Sequence, residues 1–299
     1  MTAVLRTPDE RFHHLVDFAY QPRYMEDLPQ FEGLRLHYVD EGPMEAETTF
    51  VCLHGEPTWA YLYRHMLPVF LERGHRVVAP DLFGFGRSDK PVDDACYTFV
   101  FHRDTLLAFL DRLSLTNATL VVQDWGGLLG LTLPMARPDT VRCLLVMNTT
   151  LACGEGSPSP GFTEWRSFMA NQPDLDVGGL MRRAVEGLDE LSAAAYDAPF
   201  PDRRYKAGVR RFPAIVPTET DMPGAALSRQ ARDWYRHHWQ GQTFMAVGMR
   251  DPVLGPQVMR QLHQWMPGST EPLAIEEGGH FVQEHGEQIA VRACEYFDL

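Results

Sequence analysis

Residues 121–127 read VVQDWGG: an apolar run suited to a strand, then Asp124, then glycines that can open a helix. A strand that turns sharply into a helix lifts its central side chain clear of the sheet, and small neighbours let the backbone bend that tightly. Asp124 thus occupies a nucleophile's position, with a carboxylate where serine is more common. Taken alone it also reads as a helix N-cap, since Asp there accepts backbone N–H bonds. His280, in GGHFVQEHG, follows a strand-like run between flexible glycines, and Asp251 ends the run FMAVGMRD. Alone, one is a loop histidine and the other a turn or cap residue. Together, in the order nucleophile, acid, histidine, they form a set for covalent catalysis. Asp124 would attack, His280 would draw a proton from water, and Asp251 would fix the imidazole tautomer and steady its charge. The loop HGEP follows the run TFVCL. Backbone N–H groups of Glu56 and Trp125 could then point at one spot beside Asp124, as an oxyanion hole. The Glu56 side chain could position water or be a solvated loop carboxylate.

The elements that must hold these residues alternate. Strand runs are expected at Leu34–Val39, Thr49–Leu53, Arg76–Ala79, Thr119–Gln123 and Cys143–Met147. Helical patterns are expected over Thr58–Leu71, ending near Gly74, over Phe99–Leu113 and from Trp125 to Ala136. Such alternation implies parallel strands with helices on both faces. The pattern breaks at the Gly/Ser/Pro-rich stretch Cys153–Pro160 and gives only helical stretches up to about Thr220. Strand runs return at Phe244–Gly248 and Leu273–Ile275, and a helix from Glu287 to Phe297 closes the chain. The expected architecture is α/β: a core of 1–153 and 220–299 with a helical cap of 154–219 inserted. Each candidate residue then lies past a strand's C-terminal end, where open α/β sheets place their sites.

Composition narrows the partners. Lys and Arg total 27 against 40 Asp and Glu, a formal charge of -13. Such a surface repels phosphate backbones and anionic lipid, so neither nucleic acid nor membrane is expected as a partner. No run is long and apolar enough for a signal peptide's core or a bilayer span. The five cysteines form no CxxC pair, and Cys52 and Cys143 lie in apolar strand runs. Buried reduced thiols in a cytoplasmic protein are expected.

Over nearly its whole length the chain resembles the haloalkane dehalogenases, within the α/β-hydrolase group, and specifically the subfamily carrying HGEPTW and VVQDWGG. The segments PDLFGFGRSDKP, GQTFMAVGMRD and GGHFVQEHGEQ share the resemblance. It implies Asp124 as nucleophile, His280 as base and Asp251 as orienting acid. It implies that Trp125 and Trp165 grip the departing halide, and that Leu128, Phe162, Phe212, Pro213, Val216, Val253 and Leu254 line an apolar pocket. Val122 departs from the small residue usual two before the nucleophile, which this subfamily tolerates. The implied partners are a small apolar halogenated substrate, water and halide. No metal or organic cofactor is required, and a monomer is expected.

The chemistry fits those residue types. A carboxylate is ionised near neutral pH and can displace halide from a saturated carbon without help from a base. Two indole N–H donors in a dry pocket can stabilise the halide's developing charge. An epoxide hydrolase shares the expected fold and nucleophile but would use lid tyrosines, for which Tyr196 and Tyr205 are available. A fluoroacetate-type dehalogenase would want arginines beside the nucleophile, where Trp125 and Gly126 stand. A non-catalytic scaffold of this fold would have no need of all three triad residues.

Overall fold

A computed structural model describes residues 3–299. Met1 and Thr2 lie outside the described residues, as does that part of the expectation that no signal peptide's core is present. The main sheet has eight strands: β1 (Arg23–Met25), β2 (Leu36–Glu41), β3 (Thr49–Leu53), β4 (Arg76–Pro80), β5 (Ala118–Gln123), β6 (Val141–Met147), β7 (Gln242–Gly248) and β8 (Leu273–Ile275). Their spatial order is β8-β7-β6-β5-β3-β4-β2-β1. Within this sheet, among the described residues, β2 pairs antiparallel with β1 and with β4, and the other pairings are parallel. The residues of β3, β4 and β5 are buried throughout. That is why these strands read as unbroken apolar runs: helices cover both faces. The expected α/β class, mostly parallel with a helical insertion, is the one observed.

The helices are α1 (Leu67–Glu72), α2 (Phe99–Leu113), α3 (Asp124–Gly130), α4 (Pro160–Ala170), α5 (Val177–Ala184), α6 (Glu190–Asp197), α7 (Ala207–Ile215), α8 (Ala225–His237), α9 (Pro256–Trp265) and α10 (Gly286–Phe297). Side-chain caps fix where several begin. Thr98 accepts from the Phe101 N–H at 3.0 Å, Ser159 from Phe162 at 3.1 Å, and Asp176 and Asp189 from Gly179 and Ser192 at 2.8 Å. The last three start α4, α5 and α6, so the insertion between β6 and α8 carries its own helix-start signals.

Two expected helices are shorter than read. The stretch Thr58–Leu71 splits into a 3₁₀ turn (Ala60–Tyr63) and α1, with Pro68 in the first turn of α1. Proline fits there because its missing N–H would have no intrahelical partner. The helix expected from Trp125 to Ala136 ends at Gly130 and continues as turns. Pro134 is the cause: it lacks the N–H that would bond back to residue 130, and its ring crowds that carbonyl. The first expected strand is displaced, running over Leu36–Glu41.

Candidate active site

Parallel pairing sets the site's frame. Leu53 at the end of β3 lies opposite Val122 near the end of β5. The HGEP loop and Asp124 therefore emerge side by side at the C-terminal edge of the sheet. Asp124 has φ 48°, in the left-handed region. A non-glycine residue there costs about 1–2 kcal/mol, which the surroundings must supply. They do so through hydrogen bonds on both sides of the residue. The Asp124 N–H donates to the Asn148 carbonyl at 3.0 Å, and Thr149 Oγ1 donates to the Asp124 carbonyl at 2.8 Å. The glycines permit the approach. A Cβ on Gly126 would lie 1.9 Å from the Leu53 carbonyl oxygen, and one on Gly127 would lie 2.1 Å from Thr149 Oγ1.

The Asp124 carboxylate has two distinct oxygens. Oδ1 accepts the Glu56 N–H at 2.8 Å, while Oδ2 stands 3.5 Å from His280 Nε2. On the other side of the ring, His280 Nδ1 lies 2.9 Å from Asp251 Oδ2. Asp251 is held in turn by Asn148 Nδ2 at 2.7 Å on Oδ2 and by the Val253 N–H at 2.7 Å on Oδ1. His54 stiffens the HGEP loop. Its Nε2 accepts the Leu82 N–H at 2.9 Å, which leaves Nδ1 to donate to the Gly55 carbonyl at 2.9 Å. The structure thus brings Asp124, His280 and Asp251 into one chain of contacts, with Glu56 at its nucleophile end.

Electrostatics polarise this chain. Burial would push the His280 imidazole down, but the Asp251 charge and hydrogen bonds to Asp124 and Asp251 outweigh it and hold the ring well above its ordinary value. Burial pushes Asp251 up, and the charge and hydrogen bonds of His280, with the Asn148 and Val253 donors, bring it below the usual carboxylate range. Glu56 goes the other way. Burial, then the nearby Asp124 charge, raise its carboxyl well above the ordinary range, with His280 and the Trp165 indole offsetting part of the shift.

A cavity of about 720 Å³ opens beside Asp124. Its lining includes Glu56, Trp125, Leu128, Phe162, Trp165, Pro213, Val216, Val253, Leu254 and His280. Asp251 lies behind His280 with its side chain fully buried. Phe212 corrects an expectation: it does not line the cavity. It is fully buried, with its ring centroid 4.5 Å from that of Trp125 and 4.7 Å from those of Phe85 and His102. Successive helix residues diverge by about 100°. On α7, Pro213 faces the cavity while Phe212 turns behind Trp125; Val216, past the helix end in extended backbone, lines the cavity too. Phe162 and Trp165 share one face of α4 by the same spacing.

Three contributors were not legible as such. Asn148 ties the two acidic residues together: its carbonyl accepts the Asp124 backbone N–H, its side-chain amide donates to the Asp251 carboxylate, and its Oδ1 accepts the Gly248 N–H at 2.8 Å. Gln123 Nε2 donates to the His280 carbonyl at 3.0 Å. Phe281 adds an aromatic wall next to His280. The available signal was position: Asn148 directly follows β6 and Gln123 ends β5, at the edge that carries the site. The tyrosines of the rival reading do not reach it. Among the described residues no tyrosine lines the cavity. Tyr196 is fully buried, its hydroxyl engaged with Glu284 and with Arg64 Nη1.

A strained Asp on a strand-to-helix turn, a histidine and an acid from later strand ends, and a parallel sheet in this order define an α/β hydrolase. In agreement, the family model described as "alpha/beta hydrolase fold" matches residues 48–287. The chain is 42% identical over 293 residues to a haloalkane dehalogenase of Psychrobacter cryohalolentis, covering 96% of this chain and 95% of that one. It is 42% identical to one of Mycobacterium marinum, covering 97% and 98%. A solved structure, described as the tetrameric haloalkane dehalogenase DpaA from Paraglaciecola agarilytica NO2, superposes with TM-score 0.95 at 49% identity, covering 97% of each chain. The chain belongs to the haloalkane dehalogenases. That solved relative is a tetramer, so it gives the expected monomer no support. Among the described residues no helix is long and apolar enough to cross a membrane.

Proposed function

We propose that this chain hydrolyses the carbon–halogen bond of haloalkanes through a covalent ester on Asp124. The observation that carries the reading is the inequality of the two Asp124 oxygens. Oδ1 is engaged by the Glu56 N–H at 2.8 Å, while Oδ2 has only the looser 3.5 Å approach of His280 Nε2, so Oδ2 is the oxygen that attacks. Its electron pair forms the C–O bond as the carbon–halogen bond breaks and the halide leaves with the bonding electrons. The indole N–H groups of Trp125 and Trp165, both on the cavity wall, stabilise the halide as its charge develops. Elsewhere the chain uses this group for structure: Trp59 donates to the Ala195 carbonyl at 3.1 Å and Trp239 to Thr243 Oγ1 at 2.9 Å.

Alkylation cancels the Asp124 charge, which is one of the causes that raise the His280 imidazole above its ordinary value. The ring then releases its proton more readily and can serve as a base. It takes a proton from water, whose oxygen attacks the Asp124 carboxyl carbon. The oxyanion forms on Oδ1, facing the Glu56 N–H and the Trp125 N–H. Collapse breaks the bond from the carboxyl carbon to the alkoxy oxygen, the His280 imidazolium returns its proton to that oxygen to give the alcohol, and Asp124 keeps the water's oxygen and loses the last proton to solvent as the carboxylate is restored. The net products are alcohol, halide and a proton. Asp251 keeps Nδ1 protonated, so Nε2 faces the reaction.

The same reading treats residues 154–219 as a cap inserted in a core of 1–153 and 220–299. Two observations support those bounds. Arg229 on α8 donates to the Cys153 carbonyl at 2.7 Å and to the Thr220 carbonyl at 3.1 Å, where the chain leaves and rejoins the core. A Cβ on Gly154 would lie 2.3 Å from the Glu219 carbonyl oxygen, so the two crossings are in contact.

A single turnover in heavy-oxygen water, with enzyme in excess, tests the mechanism. The expected outcome is label in Asp124 and an unlabelled alcohol. Label in the alcohol at first turnover would mean that water attacks the substrate directly, and the reading would fail.

A further inference from the structure

The cavity is much larger than the smallest haloalkanes need. A two-carbon halide fills the space of a few water molecules, about 30 Å³ each. Most of the roughly 720 Å³ would then stay wet. Water there would hydrate the departing halide and weaken the indole donors, whose value depends on a dry site.

The excess volume has a direction. Thr149 donates through its N–H to Met259 Sδ at 3.4 Å and through Oγ1 to the Asp124 carbonyl at 2.8 Å. The first turn of α9 therefore abuts the nucleophile's turn. Val258, Gln261 and Trp265 on α9 all line the cavity. Their spacing puts them on one helix face. The cavity thus runs along α9, and Trp265 lies six residues past Met259, about 9 Å along the axis at 1.5 Å per residue. An extended chain advances about 1.2 Å per bond, so about seven bonds cover that distance.

The far wall is anchored. The Arg229 bond to Cys153 secures one end of the segment 153–159, and Ser159 Oγ secures the other by donating to the Val253 carbonyl at 2.7 Å. Between them Glu155 pairs with Arg232, whose guanidinium lies 5.5 Å from the Trp265 ring centroid. At the rim Arg250 is paired with Glu186 at 3.0 Å and Glu277 at 2.8 Å. This lobe suits hydrocarbon, and the Arg250 charge is already matched.

We infer that the substrates of this chain are primary haloalkanes with an unbranched apolar body of about eight carbons, laid along α9 between Val258 and Trp265. The inference names the substrate class for the dehalogenase reading above and rests on it.

Bromide release from bromoethane, 1-bromobutane, 1-bromohexane and 1-bromooctane provides the test. The expected result is a kcat/KM that rises about 2- to 4-fold per added methylene up to eight carbons. Val258→Trp, which fills the channel, should move the optimum to shorter chains, and Trp265→Ala, which opens its end, to longer ones. Thermal melts establish that each variant is folded. An optimum at two to four carbons, or one that neither substitution moves, overturns the inference and leaves dehalogenation standing. Bromide release from no member of the series by the folded wild-type protein overturns both.

Discussion

The half of the site carried by the sheet and the half carried by the helical insertion are held by different forces. Asp124, Asp251 and His280 sit at strand ends, fixed by hydrogen bonds from neighbouring loops and by glycines that let backbones touch. Trp165, Phe162, Pro213 and Val216 sit on α4 and α7. Their helices are placed by packing, by caps and by side-chain clamps such as Arg210 of α7 with Asp94, and the α4 cap Ser159 with the Val253 carbonyl. The lesson is a division of labour. Backbone bonding holds reacting atoms to tenths of an ångström, as chemistry requires. Side-chain packing sets a volume, which can vary without touching the reacting atoms. Damage to the first half should stop turnover; damage to the second should retune it.

The sharpest way to break that contrast is at His280. In His280→Gln the first half-reaction survives, because Asp124 attacks without a base, while the ester cannot be cleared. We expect steady-state turnover to fall by about 10³-fold or more. We also expect one halide released per enzyme and an alkyl adduct on Asp124 by mass spectrometry. Steady turnover near wild type would show that the sheet half is not the chemical half.

Gly126→Ala tests how closely the sheet half is fitted. The added methyl meets the Leu53 carbonyl oxygen at 1.9 Å, and a backbone atom cannot step aside as a side chain can. A loss of about 3 kcal/mol is expected, read as a fall of several degrees in Tm. An unchanged Tm would mean that the turn has slack. On the insertion side, Trp165→Phe removes one N–H donor and little volume. A drop of about 10- to 100-fold in kcat/KM is expected, with the trapped-ester behaviour of the His280 variant preserved. Turnover equal to wild type would take Trp165 out of halide stabilisation.

The same division explains what could be read from the sequence. The sheet half was legible because its devices are local. A run such as VVQDWGG shows strand, nucleophile and bend within seven residues, and GGHFV shows His280 directly after two glycines. The insertion half depends on which way each short helix faces, and that is decided by packing over long range. Phe212 and Pro213 are adjacent in sequence, yet one backs Trp125 and the other faces the cavity. Trp265 was invisible as a cavity residue, since α9 lies more than a hundred residues from the nucleophile in sequence. Strand β1 escaped for another reason: three residues on a sheet edge are too few to show a period of two. Asn148, just past a strand run, carries no mark of its role: it links the Asp124 backbone N–H to the Asp251 carboxylate.

Glu56 joins the two halves and gives the smallest effect. Its N–H binds Asp124 on the sheet side, while its carboxyl is buried and influenced by the Trp165 indole on the insertion side. One carboxyl oxygen, Oε1, is buried without a hydrogen-bond partner. Because burial and the Asp124 charge raise its folded pKa above the ordinary 4.5, the folded state binds this proton more tightly than the unfolded chain does. Its stabilising contribution is fully present below pH 4.5 and is lost as pH rises through the folded value. Glutamine cannot ionise, so Glu56→Gln escapes that loss. The Tm of the variant minus that of wild type should be near zero at pH 4 and should grow with pH, reaching about 2 °C or more by pH 8. A difference that stays constant across the range would show that the Glu56 carboxyl is ordinary, and that the junction between the two halves carries no electrostatic strain.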